Sequence, residues 1–128
     1  MMRYLLDTCA LIWLGMGGGD LSAEAKRRIS VAASLCYSSI SAWELTRLQM
    51  EGKITLPATP EDFLADLSSE YGITAIPPTD DIMIRTARLP DHHKDPADRI
   101  IIATALIHDL TVITGDRKFR QYDVRVIA

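Results

Sequence analysis

Cysteine is scarce in this chain. Cys9 and Cys36 are the only two in 128 residues. They form no CxxC pair and stand in apolar surroundings, which excludes a disulfide framework and a cysteine zinc site and points to buried thiols in a reducing compartment. Long apolar runs are missing too, so no segment reads as a membrane span. The first residues, "MMRYLLDT", reach Asp7 too soon for a signal peptide, and the expected location is the cytoplasm. Basic excess is absent: net charge is −3, from 14 basic and 17 acidic residues. That argues against a protein that coats nucleic acid by bulk charge, but not against a nucleic-acid enzyme. Were four carboxylates neutralised by metal, the remainder of the chain would be net positive. The glycines at 15–19 lack the Gly-Lys-Ser/Thr ending of a P-loop and read as a flexible loop. No linker, internal repeat or low-complexity segment is visible.

What is present is ordinary globular composition, 48% apolar and 24% charged, in a chain long enough for one domain, 1–128, with a real core. Short apolar stretches alternate with helical ones. "RYLL", "LCYSSI", "ITAIP", "TVITG" and "VRVI" read as strands. "TCALIWL", "AEAKRRISVA", "SAWELTRLQM", "PEDFLADLSSEY", "DDIMIRTARL" and the run from Pro96 read as helices, with a short helical turn over 116–121. Ser22 and Thr59 are set as N-caps, Gly72 as a stop, and Ser41-x-x-Glu44 as a capping box. This grammar predicts an α/β fold whose parallel sheet is covered on both faces.

Four acids fall where such a sheet binds ligands, beyond the carboxyl ends of its strands. Asp7 follows the first strand, Glu44 lies in the first turn after the second, and Asp116 sits two residues past "VIT". Asp98 lies in the first turn of the helix that begins at Pro96. Pro96 suits the first helical position, so Asp95 becomes the N-cap and Asp98 falls at N3. Each acid has a plain local explanation as a cap or turn residue. Together they could converge on one edge. Two carboxylates about 5 Å apart repel by roughly 3 kcal/mol at an effective dielectric of about 20, so such a group should raise its pKa values or take up a cation. An all-oxygen set suits Mg²⁺ or Mn²⁺ rather than zinc. The chemistry implied is metal-assisted phosphodiester hydrolysis.

The segments "YLLDTCALIW", "SSISAWELTRLQMEGKI", "HHKDPADRIIIATALIHD" and "TVITGDRKF" resemble the PIN-domain ribonucleases, above all the VapC-like toxins of prokaryotic toxin–antitoxin pairs. The resemblance implies a three-layer α/β/α sandwich with about five parallel strands in the order 3-2-1-4-5. It implies an endoribonuclease that uses one or two Mg²⁺ or Mn²⁺ ions, forms a homodimer and is held inactive by a small antitoxin. It assigns Asp7, Glu44, Asp98 and Asp116 to the catalytic metal cluster. Thr8 and Thr114 match hydroxyl positions that support the carboxylates. Cys9 stands where close relatives often have histidine. Arg99, Arg117 and Lys118 lie near the expected mouth and are candidates for the RNA backbone, with solvated surface charge as the equal alternative. His92 and His93 are read as loop surface, His108 as structural, and Trp13 and Trp43 as core or dimer packing. The rival readings are a non-catalytic PIN-like scaffold that binds RNA or protein, and a housekeeping RNA-processing nuclease. An aspartyl-phosphate phosphatase would want a second acid at the position of Cys9.

Overall fold

The computed structural model describes residues 2–128. The chain runs β1 (Arg3–Leu6), α1 (Thr8–Gly15), α2 (Ala23–Ser30), β2 (Ser34–Ser38), α3 (Ile40–Met50), α4 (Pro60–Tyr71), β3 (Thr74–Ile76), α5 (Asp80–Arg88), α6 (Pro96–His108), β4 (Thr111–Ile113) and β5 (Val126–Ile127). A 3-10 turn over Arg117–Gln121 joins the last two strands. All strand pairs are parallel, and the sheet order is β3-β2-β1-β4-β5, as the resemblance implies. Among the described residues, no helix is long and apolar enough to cross a membrane.

Successive side chains of a strand point to opposite faces, and β1 shows what that does here. Tyr4 and Leu6 enter a core built with Leu11 of α1, Ile29 of α2, Leu45 of α3 and Phe63 of α4. Leu5, between them, enters a second core with Ile82 of α5, Ile101 and Ile102 of α6, and Phe119. Burial on both faces explains why "YLL" is apolar without alternation. The helix boundaries follow their capping residues. Ser22 accepts from Ala25 N–H at 3.0 Å and Thr59 from Asp62 N–H at 3.2 Å. Gly72 ends α4 in the left-handed region, φ 67°.

The order places β1 between β2 and β4, with Leu6 opposite Ile113. Chain order reverses direction there, since β2 and β4 continue to opposite sides of β1. The residues just beyond β1 and β4 therefore share one spot on the carboxyl edge, and Asp7 N–H donates to Ile113 C=O at 3.1 Å.

Candidate metal centre

Asp7 leaves β1 and caps α1. It is only 4% exposed. Its Oδ1 accepts from Ala10 N–H at 2.8 Å, and its Oδ2 accepts from the Thr114 hydroxyl at 2.5 Å. Thr114 also accepts from Asp116 N–H at 3.0 Å, so one hydroxyl sets two of the four acids. Thr8 bears on a different acid, Glu44, whose carboxyl pKa its hydroxyl works to lower. Its hydroxyl pairs with that of Ser41 at 2.8 Å and ties the start of α1 to α3.

That bond overturns the expected capping box. The helix starts at Ile40, with Ser39 in the cap position, two residues before the expected cap Ser41, and no side-chain cap bond. Ser41 is buried and its hydroxyl is spent on Thr8. Glu44 is thereby released from any capping role. Its Oε1 is buried with no hydrogen-bond partner among the described residues. A buried carboxylate oxygen left unpaired calls for an ion or ordered water.

Asp95 is the N-cap of α6, accepting from Ala97 N–H at 2.9 Å. Asp98 is turned inward from the same first turn. Asp116 caps the 3-10 turn through Oδ1, which accepts from Lys118 N–H at 2.9 Å. Both Asp98 Oδ2 and Asp116 Oδ2 meet His93 Nε2, at 2.9 Å and 3.0 Å. Asp7, Glu44, Asp98 and Asp116 thus line one cavity of about 310 Å³, with Thr8, Cys9, Trp13 and Asp95 on its wall.

The electrostatics are those of crowded acids. Burial raises the Asp98 carboxyl to about 8, and Asp95, Glu44, Asp7 and Asp116 push it the same way. Burial also raises Asp7, to about 6, against the lowering effect of the Thr114 and Ala10 hydrogen bonds. Glu44 is raised as well, chiefly by burial, with the Thr8 hydroxyl working in the opposite direction. The Cys9 thiol is pushed up to about 11 by desolvation of its sulphur and then by the four carboxylates. A cavity that disfavours so many negative charges, and holds an unpaired carboxylate oxygen, fits a hard divalent cation.

Several expected placements need correction. His93 is not loop surface: it is 6% exposed and sits among the acids. Its signal lay in the spacing H-x-D-P-x-D, which puts a histidine two residues before a cap and five before the inward acid. His92 is exposed, as expected of loop surface. Arg99 does not face the mouth. Its guanidinium donates to the carbonyls of Thr86, Leu89, Pro90 and His93, where it fastens the end of α5. Arg117 and Lys118 are exposed beside Asp116. Cys36 is buried, but Cys9 is exposed at the cavity wall. Trp13 packs against the first core. Trp43 does not: it is 53% exposed on α3, with the Arg47 guanidinium 4.7 Å from its ring. His108 is exposed at the last turn of α6, and its carbonyl accepts from the Arg3 guanidinium.

The family model described as PIN domain matches residues 4–125. Ribonuclease VapC22 of Mycobacterium tuberculosis is 31% identical over 123 residues, which cover 95% of this chain and 93% of that protein. Among solved structures, a toxin-antitoxin complex from Klebsiella pneumoniae contains a chain with a TM-score of 0.69 and 25% identity, covering 98% of this chain and 96% of that one. VapBC2 from Rickettsia felis, bound to a DNA fragment from its promoter, gives a TM-score of 0.72 at 16% identity, with 98% of both chains covered.

Proposed function

The chain belongs to the PIN-domain family, and on that premise we propose that it is a divalent-metal-dependent endoribonuclease, the toxin of a toxin–antitoxin pair. The observation that carries the proposal is the cavity lined by Asp7, Glu44, Asp98 and Asp116, with Glu44 Oε1 buried and unpaired. The activity in the name of the M. tuberculosis relative and the toxin–antitoxin assembly of the K. pneumoniae neighbour support the same reading.

Asp7, Glu44 and Asp98 would hold one Mg²⁺ or Mn²⁺, with Asp116 completing the cluster. When bound, the ion supplies Lewis-acid charge that lowers the pKa of water and neutralises a phosphoryl oxygen. The chain's own residues do the positioning. Thr114 and the Ala10 amide fix both oxygens of Asp7, so this carboxylate cannot swing when a cation arrives. The unpaired Glu44 Oε1 enters the site at no cost in existing hydrogen bonds. Asp98, raised to about 8, would have to lose its proton to solvent to serve as a ligand, and an ionised carboxylate of the cluster would orient a water and accept its proton. Arg117 and Lys118 would hold the RNA backbone as the phosphate enters.

Purified protein should cleave RNA with Mn²⁺ or Mg²⁺ and stop on chelation, with Asp7→Asn as the inactive control. Undiminished cleavage in EDTA, or none with any divalent ion, counts against the proposal. Co-purification of a small protein encoded beside this one on co-expression is the test of the antitoxin part, and separates a toxin from a housekeeping nuclease.

A further inference from the structure

His93, Asp98 and Asp116 bring one donor atom each within 4.8 Å of one another, the spacing of a three-residue metal site. The surroundings of the imidazole contradict that simple reading. Asp95 N–H donates to His93 Nδ1 at 3.2 Å. A nitrogen that accepts a hydrogen bond carries its lone pair there. In a neutral imidazole the proton is then on the other nitrogen, Nε2. This is the nitrogen that meets Asp98 Oδ2 at 2.9 Å and Asp116 Oδ2 at 3.0 Å. It therefore has a proton to give and no lone pair to offer a cation.

The backbone that carries the ring is fastened, and the ring itself is packed. The Tyr122 hydroxyl accepts from His93 N–H at 2.9 Å and from His92 N–H at 3.1 Å, and donates to Pro90 C=O at 2.7 Å. The Arg99 guanidinium also points a donor at this hydroxyl, at 3.4 Å, so the phenol is a hub that ties the loop before α6 to the end of α5. The Phe119 ring stands edge-on to the imidazole, 6.0 Å between centroids and 87° between planes. The amide that sets the tautomer belongs to Asp95, whose carboxylate caps α6. The chain thus fixes the start of the helix that carries Asp98 and the histidine that grips Asp98 by one and the same residue.

We infer that His93 is a positioning residue and not a metal ligand: its Nε2–H, set by the Asp95 amide on the other ring nitrogen, is shared between Asp98 and Asp116 and holds the two carboxylates side by side. The inference rests on the metal reading of the four acids and adds the device that orders two of them. Histidine suits the task because one rigid ring spans from a backbone amide to two carboxylates. Each carboxylate oxygen it touches keeps a second lone pair for a cation or its water. Outer partners of this kind hold metal ligands in orientation, and their loss weakens metal affinity by about 10- to 100-fold.

The test uses the full chain in two measurements. Long-range ¹H–¹⁵N correlation spectra of the metal-free protein near neutral pH report the tautomer of each histidine. The expected result is Nε2–H at His93, unchanged when Mg²⁺ is added. An Nδ1–H tautomer, or loss of the Nε2 proton on metal addition, overturns the inference and makes His93 a ligand. Calorimetric titration with Mn²⁺ alone then compares variants. His93→Ala should bind about 10- to 100-fold more weakly, and His93→Gln, whose amide can present a donor near the Nε2 position, should recover most of the loss. Should His93→Ala fail to fold by circular dichroism, Tyr122→Phe replaces it, removing the hydroxyl while keeping the ring, with a weaker loss in the same direction. Wild-type affinity in His93→Ala, or no recovery in a folded His93→Gln, overturns the inference. Absence of any Mn²⁺ or Mg²⁺ uptake by the wild type defeats the metal reading instead, while the tautomer of the metal-free protein still decides whether His93 is the donor.

Discussion

Glu44 shows how a single residue can satisfy a local rule on paper and a different one in space. Three residues after Ser41, it completes the pattern of a capping box. The pattern fails because Ser41 bonds to Thr8, 33 residues away, and a partner at that separation leaves no mark on the local sequence. His93 was hidden in part for the same reason: its contact with Asp116 spans 23 residues, although its contact with Asp98 lies within the local H-x-D-P-x-D spacing. The acids themselves were legible, since each follows a strand or opens a helix and that placement is written locally. The two readings of Glu44 separate cleanly. Glu44→Gln would leave a capping box nearly intact, within about 0.5 kcal/mol and with wild-type cleavage. As a metal-site carboxylate, it should instead lose the stabilisation that Mn²⁺ confers in thermal melts. Cleavage should fall by more than the roughly 10- to 100-fold typical of an outer partner. The metal-free variant should melt no lower than wild type, because removing one charge relieves the cluster.

Elements were legible where capping grammar is complete. Thr59, Pro60 and Gly72 bracket α4, and Asp95 with Pro96 opens α6, as their residue types require. The central strand β1 matches its apolar pattern, whereas β3 and β5 are shorter than theirs, because they lie at the sheet edges and pair on one side. Arg99 illustrates what an element hides. A cation in the first turn of α6 looks free for a ligand, yet packing of α5 beside it offers the carbonyls that end α5. Charged hydrogen bonds to half-buried carbonyls are individually strong. Arg99→Ala should therefore lower stability by about 2 kcal/mol in urea unfolding and leave the salt dependence of RNA binding unchanged. Arg117 and Lys118, in the exposed turn past Asp116, should behave the other way. Replacing both with alanine should cost little stability. It should reduce the slope of log affinity against log salt by about 1.4, the value for two single-strand phosphate contacts. An unaltered slope would return both to the role of solvated surface.

At the scale of the whole molecule, two apolar cores clamp a sheet whose carboxyl edge gathers negative charge. The clamp holds the acids together against their repulsion. Trp43, Met50, Met83, Ile84 and Ile107 remain exposed outside both cores, apolar area of the kind that partners cover. A homodimer is the expected state, and a monomer mass by light scattering at high concentration would refute it. The gathered charge makes a second global property predictable. Asp7 and Asp98 have native pKa values of about 6 and about 8, against 3.8 for an unperturbed aspartate. Between those limits the native state binds more protons than the unfolded chain, so the stability of the metal-free protein falls as pH rises. The contribution is complete below 3.8, and is lost as pH climbs through about 6 for Asp7 and about 8 for Asp98. A cation requires the ionised carboxylates and so competes with those same protons. Its affinity rises over the window in which the bare protein weakens. The increase in melting temperature caused by a fixed Mg²⁺ concentration should therefore grow from pH 6 to pH 8 and level off above it. Asp98→Asn should remove the upper part of that rise and make the metal-free melting temperature less sensitive to pH. A Mg²⁺ shift that stays constant across the range would mean that the cation does not displace these protons, and that the acids are gathered at this edge for some purpose other than holding it.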